Sequence, residues 1–324
     1  MSRLLGAIAA GFVVVGLGVL VFVRNGTRAA ESRDVILEYM PTDVTTVACL
    51  RPQPVLASPL AMEVLGLTAA QQGGVPWDPL AGLRSVCALA PSARIEWVCA
   101  GAAMTELRYA FVAGGFTGID EGIAGQRGMV ASRVDGYRVF SRTEIAVVEL
   151  APGLIGVTRS LPVLERLLRT AKGASPAIDQ NQRMQSLLTT LDTAHSAWGG
   201  GVMTESAISA DMAKNPIVAG FAGVRSFSFV ADCDSAIRVT ITCQGIDDAS
   251  AAMAGASISQ ILGLARLLGA DQPDLMGLLE GIRVERVRST VNLQMSLPAG
   301  RVVAFLKKHP LKDEWPVISK SIMP

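Results

Sequence analysis

The first signal in the hydrophobic pattern is a long apolar run near the start of the chain. Residues Leu4–Val23 contain no charged side chain, and Arg3 and Arg24 bracket them. About 20 such residues are needed for an α-helix to cross a hydrocarbon core of about 30 Å. The pattern therefore predicts a transmembrane signal anchor over residues 1–24, spanning Leu4 to Val23, and then a polar linker over residues 25–33.

A cleaved secretory signal is the alternative to this anchor. The apolar region of a cleaved signal is about 7 to 15 residues long and ends at a small-x-small site. Here Arg28 precedes Ala29 and Ala30, at a position that should be small, so the anchor is favoured. A short N-terminal flank before a long domain favours an N-terminus inside. We expect a single-pass protein of the cytoplasmic (inner) membrane that contacts the lipid bilayer through residues 4–23 and has an extracytoplasmic C-terminal domain.

Beyond the linker, alternating apolar residues and turn signals predict an α+β fold of mixed or antiparallel sheets packed with helices. The first half is assigned to residues 34–173. Its predicted strands are Thr45–Leu50, Leu83–Leu89, Ile95–Ala100, Leu107–Phe116, Met129–Arg142 and Glu144–Thr158, and its predicted helices are Ser58–Gly66, Asp120–Ala124 and Leu161–Thr170. The Asp135-Gly136 pair is a turn signal within the Met129 strand.

The second half is assigned to residues 174–310, and residues 311–324 form a basic C-terminal tail. Its predicted strands are Ala197–Met203, Val224–Ala231, Ala236–Gln244 and Val284–Leu297, and its predicted helices are Gln182–Leu191, Ser206–Lys214, Asp248–Leu268, Leu275–Gly281 and Arg301–Lys308. The tail either touches anionic headgroups or is a solvated terminus.

Two short matches indicate an internal duplication. Leu83–Val86 (LRSV) matches Val224–Phe227 (VRSF), and Leu161–Leu168 resembles Leu297–Leu306. The matches suggest two tandem βαββαβ-like, ferredoxin-like halves. The alternative is two unrelated halves that share a common α+β pattern.

Composition narrows the functional class. Half of the 324 residues are apolar, 5% are aromatic and 18% are charged, and the mean hydropathy is +0.40. These values exclude an intrinsically disordered chain. The formal net charge of +1 lacks the basic field of a nucleic-acid binder, so no nucleic-acid partner is expected. Only two histidines, His195 and His309, are available for metal sites or proton relays.

The five cysteines offer one candidate disulfide. Cys87 and Cys99 fall opposite each other if the two strands around them form a hairpin centred near residue 93. An oxidising compartment favours such a bridge, whereas buried thiols acting as small apolar residues are the alternative. No CxxC or Cys/His spacing supports a metal site, and no metal or cofactor is predicted.

Three further motifs are structural in our interpretation. Asp192, His195 and Ser196 lie within five residues, which is typical of a helix-terminus cluster and not of a triad assembled from distant elements. Gly199–Gly201 lacks the following Gly-Lys-Ser/Thr of a phosphate loop and indicates a closely packed strand. Asp247 and Asp248 precede a helix and fit N-terminal capping.

Four segments resemble a family of uncharacterised, membrane-anchored, exported bacterial proteins of unknown function. They are Met40–Ala48 (MPTDVTTVA), Ala57–Leu60 (ASPL), Gly114–Phe116 (GGF) and Asp135–Tyr137 (DGY). The resemblance covers most of the chain. It implies an exported, anchored location and brings no catalytic residues.

An anchor with no recognisable catalytic residues favours a non-enzymatic role in envelope assembly or protein interaction, with a protein partner in the envelope. One alternative is a binding module for lipid or another apolar ligand. This alternative requires an apolar cavity between the sheet and the helix Ala249–Ala265. The helix carries no charge. It is interpreted either as a core helix or as a helix that faces lipid or a partner. The other is an enzyme of unrecognised type, which requires a cleft that gathers carboxylates such as Glu96, Glu106 or Glu144.

Overall fold

A computed structural model describes residues 29–71, 78–103, 106–203 and 215–308. The expected anchor, Leu4 to Val23, lies outside the described residues, as do the predicted helix Ser206–Lys214 and the tail at residues 311–324. Within the described ranges, no helix combines the length and apolar character needed to cross a bilayer.

The described strands form one sheet in which all neighbours are antiparallel. In order across the sheet they are β11-β12-β10-β9-β8-β1-β2-β3-β7-β6-β5-β4. Their bounds are β1 Thr46–Leu50, β2 Arg94–Ala103, β3 Glu106–Gly115, β4 Val130–Val134, β5 Tyr137–Arg142, β6 Ile145–Ala151, β7 Leu154–Thr158, β8 Ala197–Val202, β9 Val224–Cys233, β10 Ala236–Gly245, β11 Ile282–Val287 and β12 Thr290–Pro298.

Eleven α-helices among the described residues pack on this sheet. They are α1 Ala29–Tyr39, α2 Pro52–Leu56, α3 Pro59–Gln71, α4 Ala81–Val86, α5 Glu121–Gln126, α6 Leu161–Ala171, α7 Gln182–Thr190, α8 Pro216–Ala219, α9 Asp248–Leu268, α10 Pro273–Leu279 and α11 Ala299–Lys308. A short 3-10 turn, Ile178–Gln180, precedes α7. The mixed α+β class predicted from the sequence is confirmed.

Alternation of side chains explains how the first half is layered. On one face of β1, β2 and β3, the side chains of Val47, Trp97 and Phe111 are buried beneath α1, α6 and α7. On the other face, residues such as Ile95 and Val112 are buried with side chains from α5 and the loop after α4. Strands buried on both faces have near-continuous apolar sequences, as in this half.

Among the described residues, helices cover mainly one face of the second half. Side chains of β9, β10 and β12 that include Ile237, Val239 and Leu297 pack against α2, α3, α10 and α11. Further along the same face, Cys243 and Val291 pack against α9. The alternate side chains of these strands are mostly polar and face the opposite side. Apart from α7 over β8, that side of the second half carries no helix within the described residues.

Three sequence expectations are corrected by these elements. The predicted strand Leu83–Leu89 is wrong, because Ala81–Val86 form α4. A short apolar run does not separate a strand from a buried helix by periodicity alone. The predicted linker over residues 25–33 is partly wrong, because α1 begins at Ala29 in a stretch without glycine or proline. Ferredoxin-like halves are also wrong, because split βαβ units contain parallel neighbours and every described ladder is antiparallel.

The two halves share one strand order. From the central β1 and β8 pair, the first half runs outward through β2, β3 and β7, and the second through β9, β10 and β12. However, α6 follows β7 on one face of the sheet, whereas α11 follows β12 on the other. The proposed boundary at residues 173 and 174 lies in the loop after α6, and both sides of it contribute to the same sheet.

The Asp135-Gly136 turn is confirmed, whereas two segments that the sequence predicted as single strands are hairpins. Asp135 and Gly136 both have positive φ, 56° and 92°, as a type I′ turn between β4 and β5 requires. The region Glu144–Thr158 is itself a hairpin, turning at Gly153 with φ of 74°. The region Val284–Leu297 is likewise two strands, β11 and β12, with Arg288 at φ of 52° between them.

Candidate functional site

The cluster around His195 lies where β8 begins and β9 ends. His195 Nδ1 is 2.5 Å from Asp232 Oδ2, and its Nε2 is 3.4 Å from Asp192 Oδ2. The backbone amide of Ser196 donates to Asp232 Oδ1 at 2.9 Å. Both nitrogens of the imidazole therefore face carboxylates, and neither faces a hydroxyl nucleophile. A triad needs one nitrogen free for the nucleophile, so this cluster supports the structural interpretation.

Asp232 has a perturbed pKa. Burial alone would raise it, but the hydrogen bonds from the Ser196 amide and from His195 outweigh burial and hold the pKa below its ordinary value of 3.8. The sequence missed Asp232 because it lies 37 residues beyond His195. The carboxylate ties the loop before β8 to the end of β9.

We expect the Asp232 carboxylate to make the free energy of unfolding depend on pH in the acidic range. A lowered folded-state pKa means that its stabilisation is present above the unfolded pKa of about 4 and is lost as the pH falls through the folded value. The free energy of unfolding of the full chain in detergent, measured with urea between about pH 6 and pH 3, should decrease less in Asp232→Asn than in the parent. The exposed Asp271→Asn is the control. Identical acid profiles for the parent and Asp232→Asn would contradict this assignment.

The disulfide joins Cys49 to Cys99, and the predicted Cys87–Cys99 bridge is wrong. Cys49 and Cys99 are directly opposite on the neighbouring strands β1 and β2, with Cα atoms 4.1 Å apart. Cys87 follows α4 as a buried thiol, because the strand that was meant to carry it is helical. Strand β2 does contain Cys99 as predicted, but its cysteine partner is on the central strand.

Two buried tryptophans flank this disulfide. Trp198 lies directly opposite Cys49 on β8, and Trp97 precedes Cys99 by two residues on the same face of β2. Their rings meet edge to face with centroids 6.4 Å apart. Both indole N–H groups are buried without a hydrogen-bond partner among the described residues. The disulfide therefore lies in the buried core cluster beneath α1 and α7.

The three free cysteines are inert by environment. Cys87, Cys233 and Cys243 are buried. Burial raises the pKa of the Cys87 thiol to about 12 and also raises the pKa values of the other two. A thiolate is the reactive form, so these residues act as the small apolar side chains that the sequence alternative described.

Asp43 is a shared acceptor for three side chains. It accepts hydrogen bonds from Arg108 Nη1 at 2.7 Å, Arg166 Nη1 at 2.5 Å and the Tyr109 hydroxyl at 3.1 Å. These contacts connect the loop before β1 to β3 and α6. Burial and then the Asp43 charge raise the pKa of Tyr109, which stays a hydrogen-bond donor. We call Asp43, Arg108, Tyr109 and Arg166 the Asp43 cluster.

The glycine run and the aspartate pair have the structural roles expected from the sequence. Gly199–Gly201 lie in β8, and a Cβ at Gly199 would be 2.5 Å from both the Val47 carbonyl oxygen and the Phe229 ring. Asp247 caps α9, because its Oδ1 accepts from the Ser250 amide at 2.7 Å. Glycine is needed where neighbouring groups approach this closely.

The carboxylates that an enzyme would need are not gathered. Glu96 lies 3.7 Å from Arg94, and Glu106 lies 3.2 Å from Arg108. These pairs and Glu144 lie at separate places in the first half. In the described part of the chain, no group of three or more His, Cys, Asp or Glu side chains forms a metal site.

Helix α9 packs directly on the sheet where the lipid-binding alternative requires a cavity. Ala251, Ala254 and Ile258 are buried against β10 and β12. At the start of the helix, a Cβ at Gly223 would lie 2.5 Å from the Ser250 Cβ. This contact favours the core-helix interpretation of the segment Ala249–Ala265.

The polar side of the second half is a candidate binding surface. We define the open face as the alternate side chains of β9 to β12 that point away from α9 and α11. Its polar members include Ser226, Ser228, Thr240, Thr242, Gln244, Arg283, Glu285, Thr290, Asn292, Gln294 and Ser296, and the same face also carries Val230, Asp232, Arg238 and Val287. Hydroxyl and amide groups pair across it, as between Thr242 Oγ1 and Asn292 Oδ1 at 3.0 Å. A cleft of about 420 Å³ beside Arg238 and Arg283 opens on it.

Comparisons with known proteins found only distant structural similarity. No family model and no curated protein matches the chain. Among solved structures, crystal forms I and III of TP0453 are each 10% identical to it with a TM-score of 0.44. The alignments cover 84% of this chain and 96% and 97% of those chains. A likeness this distant does not identify a function.

Proposed function

We propose that this is a non-enzymatic, membrane-anchored protein whose body lies outside the cytoplasm and binds a protein partner in the envelope. The anchor is the apolar segment Leu4–Val23, with the N-terminus inside. The Cys49–Cys99 disulfide supports an extracytoplasmic body, because such bridges persist in oxidising compartments. The resemblance to exported, anchored bacterial proteins agrees with this location.

The open face supports the interaction role. It presents hydroxyl and amide groups on neighbouring strands spaced about 4.8 Å apart, and these groups donate and accept hydrogen bonds. The face carries two acidic side chains, Asp232 and Glu285, and two basic ones, Arg238 and Arg283, so it lacks the net positive charge that binds nucleic acid. It also lacks aromatic side chains for stacking. This chemistry fits the polar surface of another protein.

The shared strand order of the two halves supports an origin by internal duplication. The first three described strands outward from the central pair follow the same relative order in each half. Within the described residues, helices cover both faces of the first half and one face of the second, which leaves the open face uncovered there. We propose that the halves diverged in helix placement, which left the second half with a surface for a partner.

Site-specific photocross-linking tests the interaction. A photoreactive residue at Gln294, on the open face, should cross-link the full chain to another protein in intact membranes. The same residue at Ser132, an exposed position on the edge strand β4, is the matched control. Cross-linking from Ser132 alone, or equally from both positions, would reject the open face as the partner surface.

Intact mass after alkylation tests the compartment. We expect the protein isolated from its native membrane to gain two alkyl groups only after reduction, at Cys49 and Cys99. The buried free thiols are alkylated after unfolding with or without reductant and provide the internal control. Full alkylation of all five cysteines without reductant would place the body in a reducing compartment.

A further inference from the structure

Strand β11 forms one edge of the described sheet. It pairs with β12 over its whole length without a bulge. The Ser296 amide donates to the Gly281 carbonyl oxygen at 2.9 Å, so Gly281 and every second residue after it turn their backbone groups toward β12. The backbone groups of Ile282, Val284 and Arg286 therefore point away from the sheet, and among the described residues no further strand pairs with them.

We propose that β11 pairs with β11 of a second copy of this chain, so that the two sheets join edge to edge across a two-fold axis. An edge strand is a template for pairing with another chain, and many proteins protect such edges with proline, lysine or a bulge. The sequence of β11, IRVERV, contains neither proline nor lysine, and its ladder has no bulge. Other charged side chains also protect edges, so the order of Arg283, Glu285 and Arg286 decides which pairing β11 permits.

The charges of β11 favour one symmetric register. Directly opposite residues in antiparallel strands either both exchange hydrogen bonds or both do not, so a two-fold axis places one residue opposite its own copy. An axis at Glu285 brings two carboxylates together, and axes at Arg283 and Arg286 bring two guanidinium groups together. Like charges directly opposite each other are destabilising. An axis at the first or last residue of β11 pairs almost no residues, whereas an axis at Val284 pairs residues 282–286 of both copies without any like-charge pair.

In this register, opposite charges meet on both sides of the axis. Arg283 of each copy lies directly opposite Glu285 of the other, at positions that exchange no hydrogen bonds and whose Cα atoms are about 4.5 Å apart. Both side chains are exposed and lie on the open face. On the α9 side, the half-buried Val284 lies opposite its own copy, and the outward backbone groups of the two valines bond to each other. The charge pattern of β11 is therefore complementary to itself.

The other edge of the sheet offers no such match. Strand β4 carries one charged residue, Arg133. The two-residue turn after Val134 directs the backbone groups of Arg133 to the outer side of β4. In an antiparallel pair with β11, Arg133 would therefore lie opposite an even-numbered residue, and none of these is acidic. Head-to-tail pairing of β4 with β11, which would extend copies into a filament, gains no opposite-charge pair, whereas pairing through β11 closes with two copies.

Charge reversal tests the register. The full-length protein in detergent is measured by analytical ultracentrifugation over a range of concentrations, and we expect the parent to dimerise. Arg283→Glu and Glu285→Arg each create like charges at both pairs, so each should raise the dissociation constant of the dimer about tenfold. Arg283→Glu combined with Glu285→Arg restores opposite charges and should restore the dimer. Arg133→Glu, on the other edge, is the matched control and should leave the dissociation constant unchanged.

Mixing the two single variants tests the pairing between copies directly. One variant carries two acidic side chains at these positions, and the other carries two basic ones. Each repels itself but complements the other at both pairs. We therefore expect differently tagged copies of Arg283→Glu and Glu285→Arg to purify together after mixing, although copies of the same variant do not.

Three results would overturn the proposal. The first is a parent that stays monomeric at every concentration, and the second is a dimer that neither charge reversal weakens. The third is a pair of single variants that do not associate when mixed. An unchanged urea unfolding midpoint in each variant shows that its fold is kept. These measurements use the purified chain alone, so they succeed or fail separately from cross-linking of Gln294 to a partner in intact membranes.

Discussion

Replacing Asp43 by alanine should lower the free energy of unfolding by about 3 kcal/mol. The carboxylate is the shared acceptor of two guanidinium groups and the Tyr109 hydroxyl. Removing it leaves Arg108 and Arg166 facing each other and deprives a buried hydroxyl of its acceptor. Because Asp43 keeps 22% of its side chain exposed, we expect less than the full cost of orphaning a buried charge.

The substitution Asp43→Asn removes the negative charge of the side chain and keeps its shape. The amide retains one acceptor oxygen but turns a donor toward the arginines, so about 2 kcal/mol of destabilisation is expected. The control is Asp135→Asn, which removes a surface pair with Lys172 at 3.2 Å in a turn that asparagine tolerates. It should cost less than about 0.5 kcal/mol. Urea unfolding of the full chain in detergent measures the stability of Asp43→Ala, Asp43→Asn and Asp135→Asn. An unfolding midpoint of Asp43→Asn equal to that of Asp135→Asn would contradict a structural role for the Asp43 cluster.

The Asp43 cluster shows why sequence alone did not find this part of the molecule. Asp43 lies within a segment that carries the family resemblance, but its arginine partners are 65 and 123 residues away. No local spacing links these positions. Only the packing of α6 and β3 around the start of β1 brings them together, and one sequence does not contain that information.

Sequence patterns were sufficient to predict the features that depend only on neighbouring residues. The Asp135-Gly136 turn and the Asp247 cap follow from residue types that favour those conformations. Polar residues also alternate with apolar ones along two strands, at Ser226 and Ser228 of β9 and at Thr240 and Thr242 of β10. This alternation is typical of a strand with one polar face. It was a sequence signal for the open face, although it does not show that no helix covers it.

The wrong disulfide prediction followed from a wrong secondary-structure prediction. Leu83–Leu89 is apolar enough for a strand, and a strand there would have placed Cys87 opposite Cys99. Leu80 and Leu89 are instead buried on either side of a short helix. Once α4 replaces the strand, Cys87 has no antiparallel neighbour, and the position opposite Cys99 falls to β1. Which strand pairs with β2 is a long-range property of the sheet.

Loss of the Cys49–Cys99 bridge should be the largest effect in the molecule. The bridge closes a loop between residues 50 positions apart in the sequence, for which chain-entropy arguments give about 4 kcal/mol. We expect Cys49→Ala with Cys99→Ala to lower the free energy of unfolding by that amount. Reductant should destabilise the parent comparably and leave the double variant unchanged.

The free thiols provide the matched control for this experiment. Cys233→Ala with Cys243→Ala removes two buried sulfur atoms without removing a bridge, so it should cost about 2 kcal/mol and preserve the sensitivity of the protein to reductant. Trp97 and Trp198 supply an independent readout, because a neighbouring disulfide quenches indole emission and reduction relieves it. Equal stability of the parent with and without reductant, together with unchanged tryptophan emission, would show that β1 and β2 are held by packing alone. A parent that loses stability on reduction would instead show that the central strands depend on an oxidising compartment, the condition that the proposed location supplies.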